Sequence, residues 1–84
     1  MIKSRDKLEN NLRKYRFEAG ELSQQKLANA VGVTRLTIHS IETGKFNPSV
    51  LLALKIAVFF KRPVEDIFWL PQENRDPDSE RGNL

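Results

Sequence analysis

The chain has no cysteine and only one histidine, which restricts the chemistry that it can carry. Without cysteine there is neither a disulfide framework nor a thiolate metal site, and a single histidine cannot build a metal centre. The sequence also lacks a paired-carboxylate motif, a nucleophile with a neighbouring base and a phosphate-cradling glycine loop. We therefore predict no metal, no cofactor and no enzymatic activity.

Long hydrophobic runs are missing as well. The longest apolar stretch, from Val50 to Phe60, is interrupted by Lys55 and is far shorter than the ~20 residues of a membrane-spanning helix. The first residues are polar and charged, which is unlike a signal peptide. The sequence predicts a soluble cytoplasmic protein with no membrane partner.

What is present is a short chain with unevenly distributed charge. Eighty-four residues allow one small domain with a thin core, and oligomerisation is a natural supplement for so small a core. Residues 1–70 hold twelve Lys and Arg against seven Asp and Glu, a net charge of +5, whereas residues 71–84 hold two against four. A basic domain suits a polyanionic partner, although this charge is also ordinary for a soluble protein.

The segment from Ser23 to Lys45 has the pattern of two short helices joined by a tight turn. Ser23 and Thr34 are favourable N-cap residues, and Gly32 suits the left-handed position that ends a helix. In the first predicted helix Leu27, Ala28 and Val31 share one apolar face, and in the second Ile38 and Ile41 do. The pattern indicates a helix-turn-helix.

The residues of this segment and those after it resemble the Cro/C-repressor (Xre) family of helix-turn-helix proteins, over roughly Asn10 to Leu70. The matching positions are Ser23 and Gln24, Leu27 and Ala28, Gly32 to Thr34, Ile38, Ile41 and Glu42, Gly44 and Lys45, Asn47 to Ser49, Leu54 to Ala57, and Pro63 to Phe68. So many matches in register are far more specific than a lone glycine between two helices.

The resemblance implies an all-α fold, a compact five-helix bundle containing the helix-turn-helix. Beside the motif we expect a first helix over about 10–19, a fourth from Pro48, with proline in its first turn, to Phe60, and a fifth over 63–67. Some small family members add a short antiparallel β-sheet from the N-terminal arm and the C-terminal segment, which here would pair residues 7–9 with 68–70. Residues 1–70 would form the DNA-binding domain, with 1–6 a loose arm, and 71–84 a flexible tail.

The same resemblance implies double-stranded DNA as the partner, with the second helix of the motif in the major groove. Arg35, Leu36 and Ser40 fall at base-reading positions. The planar fork of Arg35 can bond guanine O6 and N7 together, although a phosphate contact or a solvated arginine remains an alternative. Leu36 could pack on a thymine methyl group or simply on the edge of the core, and Ser40 could touch a base, a phosphate or water.

Other residues of the motif correspond to positions that hold the DNA backbone. Gln24 resembles the family's phosphate clamp, and Thr34 is as well suited to capping a helix as to a phosphate contact. The expected phosphate contacts are Gln24, Thr34, Thr37, Lys45, Thr43 and Asn47, of which Asn47 could instead cap the fourth helix. Family members also pair an arginine of the first helix with a glutamate ending the third, which here are Arg16 and Glu42. His39 is expected to face solvent or a phosphate.

The predicted fourth helix is apolar on nearly every side, so it should be buried on more than one side. The family pattern places Val50, Ala53, Leu54, Ala57 and Phe60 in the core. The surplus apolar residues then form a predicted homodimer surface, unless the arm or tail covers them. They are Leu51, Leu52, Val58 and Phe59, with Trp69 and Leu70.

Two functions are compatible with these features. The first is a sequence-specific DNA-binding transcriptional regulator, a repressor that binds a roughly palindromic operator as a homodimer. The alternative is an antitoxin-like or other protein-interaction module that uses the apolar surface of the fourth helix. RNA binding is disfavoured because the stacking aromatics of an exposed sheet are missing.

Overall fold

The computed structural model describes residues 7–71, which fold into five helices and a two-stranded antiparallel sheet. The all-α bundle with a short added sheet is therefore confirmed. In chain order the elements are β1 (Glu9–Asn10), α1 (Leu12–Glu18), α2 (Gln24–Val31), α3 (Arg35–Glu42), α4 (Val50–Phe60), α5 (Val64–Ile67) and β2 (Phe68–Trp69). The predicted loose arm, 1–6, and all of the predicted tail except Pro71 lie outside the described residues.

The boundaries of α2 and α3 follow from the predicted capping residues. The Lys26 backbone N–H donates to Ser23 Oγ at 3.0 Å, and the Thr37 N–H donates to Thr34 Oγ1 at 3.2 Å. Each hydroxyl thus satisfies one of the donors left free in a helix's first turn. Gly32 ends α2 with φ of 81°, in the left-handed region that glycine enters without strain. Both helices of the motif therefore begin as predicted, and α2 also ends as predicted.

The core lies where α2, α3, α4 and α5 meet beside α1. Leu27, Ile38 and Ile56 are completely buried, and so is Ala28, a small residue in the closely packed pair α2 and α3. The buried apolar residues are Leu12, Leu27, Ala28, Val31, Ile38, Ile41, Leu52, Ile56, Ala57, Ile67 and Phe68. Ile38 and Ile41 of α3 belong to this cluster, so core packing sets the orientation of α3 relative to the other helices.

The face that α4 turns to the core differs from the prediction. Leu52 joins the core with only 8% of its surface exposed, so it does not belong to an exposed dimer surface. Conversely, Val50 and Leu54 were expected in the core but are 76% and 48% exposed. The buried side of α4 runs through Leu52, Ile56 and Ala57, with Ala53 and Phe60 packed at its edge. A helix that is apolar all round has no polar stripe to show which face is buried.

Three smaller predictions also differ from the structure. Asn10 belongs to β1, so α1 begins later than expected, at Leu12, and it ends at Glu18. The sheet exists but pairs Glu9 with Trp69 and Asn10 with Phe68, rather than residues 7–9 with 68–70. Pro48 precedes α4 instead of lying in its first turn, because the Ser49 side chain is the cap and accepts from the Leu52 N–H at 3.1 Å.

Candidate DNA interface

A buried ion pair joins α1 to the end of α3. Arg16 Nε donates to Glu42 Oε2 at 2.7 Å, and Nη2 donates to Oε1 at 3.1 Å, which makes the contact bidentate. The remaining terminal nitrogen of the guanidinium donates to the Leu22 carbonyl at 2.7 Å. The two side chains are only 9% and 7% exposed, so this geometry is held away from water. The predicted pairing of Arg16 with Glu42 is confirmed.

Gln24 links this ion pair by hydrogen bonds to Arg35 at the start of α3. Gln24 Nε2 donates to Glu42 Oε1 at 3.1 Å, and Arg35 Nη1 donates to Gln24 Oε1 at 3.3 Å. Both neighbours require the same amide orientation, since a carboxylate can only accept and a guanidinium can only donate. Gln24 therefore connects the buried pair to Arg35, a contact that the sequence did not reveal.

The outer side of α3 carries the predicted base-reading residues. Arg35 is exposed and Leu36 is 63% exposed, while Ser40 is half-buried. At the start of the helix the hydroxyls of Thr34 and Thr37 lie 3.1 Å apart, so the two side chains also bond to each other. These five side chains belong to one short segment that combines a cation, hydroxyls and one exposed leucine.

Two exposed residues after α3, Thr43 and Asn47, make hydrogen bonds with other parts of the fold. Thr43 Oγ1 donates to the His39 carbonyl at 3.0 Å, and the Asn47 side-chain oxygen accepts from the Leu8 N–H at 3.2 Å. Asn47 therefore ties the N-terminal segment to this loop and does not cap α4, which uses Ser49. Lys45 is exposed, and so is His39 as predicted.

Two residues near α3 were missed by the sequence reasoning. Asn10 Nδ2 donates to the Ile41 carbonyl at 3.0 Å and thereby fastens β1 to α3. Phe46 is 48% exposed and lines a cleft of about 220 Å³ together with Leu36, Ser40, Thr34 and Thr37. A large aromatic residue in an otherwise polar loop was the available signal for Phe46.

A second, larger depression lies between α2 and α4. Leu51, Leu54, Lys55, Val58 and Phe59 line one wall of this groove of about 620 Å³, and residues 29–32 line the other. We call it the α4 groove. The exposed fractions of Leu51, Val58 and Phe59 are 64%, 76% and 39%, in agreement with the prediction that they do not belong to the core. Trp69 is half-buried and Leu70 is exposed, but neither lines the groove.

Comparisons with known proteins agree with this geometry. A family model described as Helix-turn-helix (HTH_3) matches residues 12–67. The chain belongs to the helix-turn-helix family of the Cro/C-repressor (Xre) type. It is 48% identical over 67 residues to the uncharacterized HTH-type transcriptional regulator YgzD of Bacillus subtilis, covering 80% of this chain and all of YgzD. An uncharacterized HTH-type transcriptional regulator of Methanocaldococcus jannaschii is 49% identical over 61 residues, covering 73% of this chain and 91% of that protein.

A solved structure extends the similarity to three dimensions. This helix-turn-helix chain superposes on the restriction-modification controller protein C.AhdI from Aeromonas hydrophila with a TM-score of 0.60 and 33% identity. The match covers 66% of this chain and 78% of C.AhdI. The protein is therefore a DNA-binding helix-turn-helix transcriptional regulator and not an enzyme.

Within residues 7–71 no group of His, Asp or Glu is arranged to hold a metal ion. No helix in the same range is both long enough and apolar enough to cross a membrane.

Proposed function

We propose that the protein is a transcriptional repressor that reads a specific double-stranded operator with α3 in the major groove. One observation carries this proposal: Arg35 is exposed at the first position of α3 while Gln24 holds its guanidinium. The first residues of a recognition helix are the ones that reach base edges. A pre-oriented arginine fork there matches O6 and N7 of guanine, so Arg35 is the proposed guanine reader.

The neighbouring residues would complete the DNA contact. We assign Leu36 and Ser40 to base edges beside Arg35, because the family resemblance places them at base-reading positions of the same helix and neither is fully buried. The proposed phosphate contacts are Gln24, Thr34, Thr37, Thr43, Lys45 and Asn47. Among them Lys45 supplies the positive charge, and the hydroxyls and amides supply short-range hydrogen bonds.

The proposed reader is a homodimer that uses the α4 groove. Val58 and Leu51 expose most of their surface on a chain whose own core is small, and contact with a second copy would remove them from water. A two-fold pair of α3 helices would meet successive major grooves about 34 Å apart, and the operator would then be roughly palindromic. Leu70 and Trp69 are proposed to contribute at the margin of this interface.

Selection of bound sequences from a random DNA pool tests the proposal. We expect a recovered motif with two inverted half-sites whose centres are about one helical turn apart. Recovery of no sequence preference would contradict specific recognition, and a single half-site would contradict the dimer. For repression, a reporter gene whose promoter contains the recovered motif should be less active when the protein is expressed.

The α4 groove also fits the alternative of an interaction module that binds a different protein. Light scattering on the purified protein separates the two possibilities. A defined mass of two chains supports the homodimer, whereas a persistent monomer favours a different partner for the groove.

Arg35→Ala is expected to relax specificity at one base pair in each half-site. The bidentate contact would be lost, which corresponds to about 1–3 kcal/mol of discrimination at that base pair. Arg35→Lys is the matched control, because it keeps the charge but not the planar fork. Competition binding with all four base pairs at each position gives the measurement. An unchanged preference in Arg35→Ala would refute the assignment.

Lys45→Ala is expected to weaken binding to all DNA sequences alike. Loss of one phosphate contact should make the slope of log affinity against log salt shallower by about one for each protomer. Lys14→Ala removes the same charge from the exposed side of α1 and should leave the slope unchanged. Titrations at several salt concentrations measure both variants. An equal slope for Lys45→Ala and wild type would exclude the phosphate contact.

A further inference from the structure

The cleft beside α3 is apolar on a surface that is otherwise polar. Leu36 and Phe46 form its apolar walls, and the hydroxyls of Thr34, Thr37 and Ser40 lie around it. Leu36 and Phe46 are 63% and 48% exposed, so neither is needed to fill the core. We call this feature the 36/46 cleft.

Backbone hydrogen bonds fix the position of Phe46 relative to α3. The Ser40 carbonyl accepts from the Lys45 N–H at 2.9 Å and from the Phe46 N–H at 3.2 Å. Gly44 makes the required reversal with φ of 81°, a left-handed value that other residues rarely adopt. The loop therefore returns to the last turns of α3, which places Phe46 in the wall of the same cleft as Leu36.

The chemistry of the major groove offers one apolar group to such a cleft. Base edges present hydrogen-bond donors and acceptors there, and the 5-methyl group of thymine is the exception. A 5-methylcytosine would present the same methyl group. Arg35 precedes Leu36 and Lys45 precedes Phe46 in the sequence, so each apolar wall residue has a cationic neighbour in the segment expected to meet DNA.

We propose that Leu36 and Phe46 form a binding site for the 5-methyl group of a pyrimidine in the operator. This inference rests on the proposed function and adds to it a residue, Phe46, and a ligand chemistry. Phe46 and Leu36 would enclose the methyl group from two sides, and the surrounding hydroxyls would stay near polar base edges or phosphates. Each half-site should therefore contain a thymine, or a methylated cytosine, whose methyl group contributes to affinity.

Deoxyuridine substitution tests the proposal, because it removes only the methyl group of a thymine. Each thymine of the selected operator is replaced in turn, and the affinity of wild-type protein is measured. At one position per half-site we expect a loss of about fourfold, the value for one methyl group withdrawn from an apolar contact. The Phe46→Ala variant should bind the thymine and deoxyuridine operators almost equally. Phe46→Leu, which keeps an apolar wall, should retain part of the preference.

Two controls separate this inference from the proposed function. Phe17→Ala removes a phenylalanine of nearly equal exposure, 49%, from α1 and should keep the full preference for thymine. Operators with cytosine or 5-methylcytosine at the sensitive position then identify the methyl source. Tighter binding of 5-methylcytosine than of cytosine indicates that the methyl group alone is read, and equal binding assigns the site to thymine.

The outcomes that contradict the proposal are distinct. If wild-type protein selects an operator but tolerates deoxyuridine at every position, the 36/46 cleft does not read a methyl group, while operator recognition stands. If the preference for thymine persists in both Phe46→Ala and Leu36→Ala, another residue reads it. If the protein selects no DNA sequence at all, the proposed function itself fails.

Discussion

Glu42→Ala is expected to destabilise the fold by about 3–5 kcal/mol, the usual cost of leaving one charge of a buried pair without its partner. Arg16, whose side chain is 9% exposed in the wild type, would retain only the Leu22 carbonyl as acceptor. For a domain of this size the loss corresponds to a decrease in Tm of at least about 12 °C. Thermal and urea unfolding followed by circular dichroism measure the change.

A double variant provides the control for this prediction. Arg16→Met combined with Glu42→Leu removes both charges and leaves apolar groups in their place, so stability should return close to that of the wild type. A double variant as unstable as Glu42→Ala would mean that the loss comes from packing around Glu42 or from the missing hydrogen bonds to Gln24 and the Leu22 carbonyl, and not from the unpaired charge. A wild-type Tm for Glu42→Ala would show that the ion pair does not stabilise the fold.

Val58→Glu is expected to convert the proposed homodimer into a folded monomer and to lower operator affinity about 100-fold or more. Val58 is 76% exposed, so a glutamate there does not disturb the core, but it would place a charge in the apolar contact between two copies. The loss in affinity follows because a dimer that binds two linked half-sites has an affinity about 10²–10⁴ times that of a single half-site contact. Sedimentation gives the mass, and binding to the full operator gives the affinity.

The matched control uses a duplex that contains a single half-site. Wild-type protein and Val58→Glu should bind this duplex with similar affinity, since only one α3 can engage it. A variant that is weaker on the half-site would indicate a direct effect of the added charge on DNA binding. A wild-type protein that is monomeric on its own and on the full operator would contradict the dimer.

The helix-turn-helix itself could be predicted because its signals are local. Ser23 and Thr34 cap the helices that follow them, Gly32 takes the left-handed conformation, and the periodic residues such as Ile38 are buried. Each of these properties depends on a few neighbouring residues. The ion pair between Arg16 and Glu42 came from the family resemblance, since nothing local relates residues so far apart.

The remaining features depend on tertiary contacts that composition does not reveal. The helix α4 could turn either Leu52 or Val50 to the core without changing its apolar pattern, and packing against α2 and α5 selected Leu52. The connection before α2 is another case. It holds Gly20 and Glu21 in left-handed conformations with φ of 85° and 56°, a local reversal that the sequence did not predict.

The contact between Gln24 and Arg35 has a consequence for how a new operator preference could arise. Because Gln24 satisfies Glu42 and Arg35 at once, a substitution at position 35 also changes what the amide at position 24 must bond. A neutral acceptor at 35, for example, would leave the Gln24 oxygen without its donor. Libraries intended to redirect the protein to other operators should therefore vary positions 24 and 35 together, since the proposed preference would depend on both side chains.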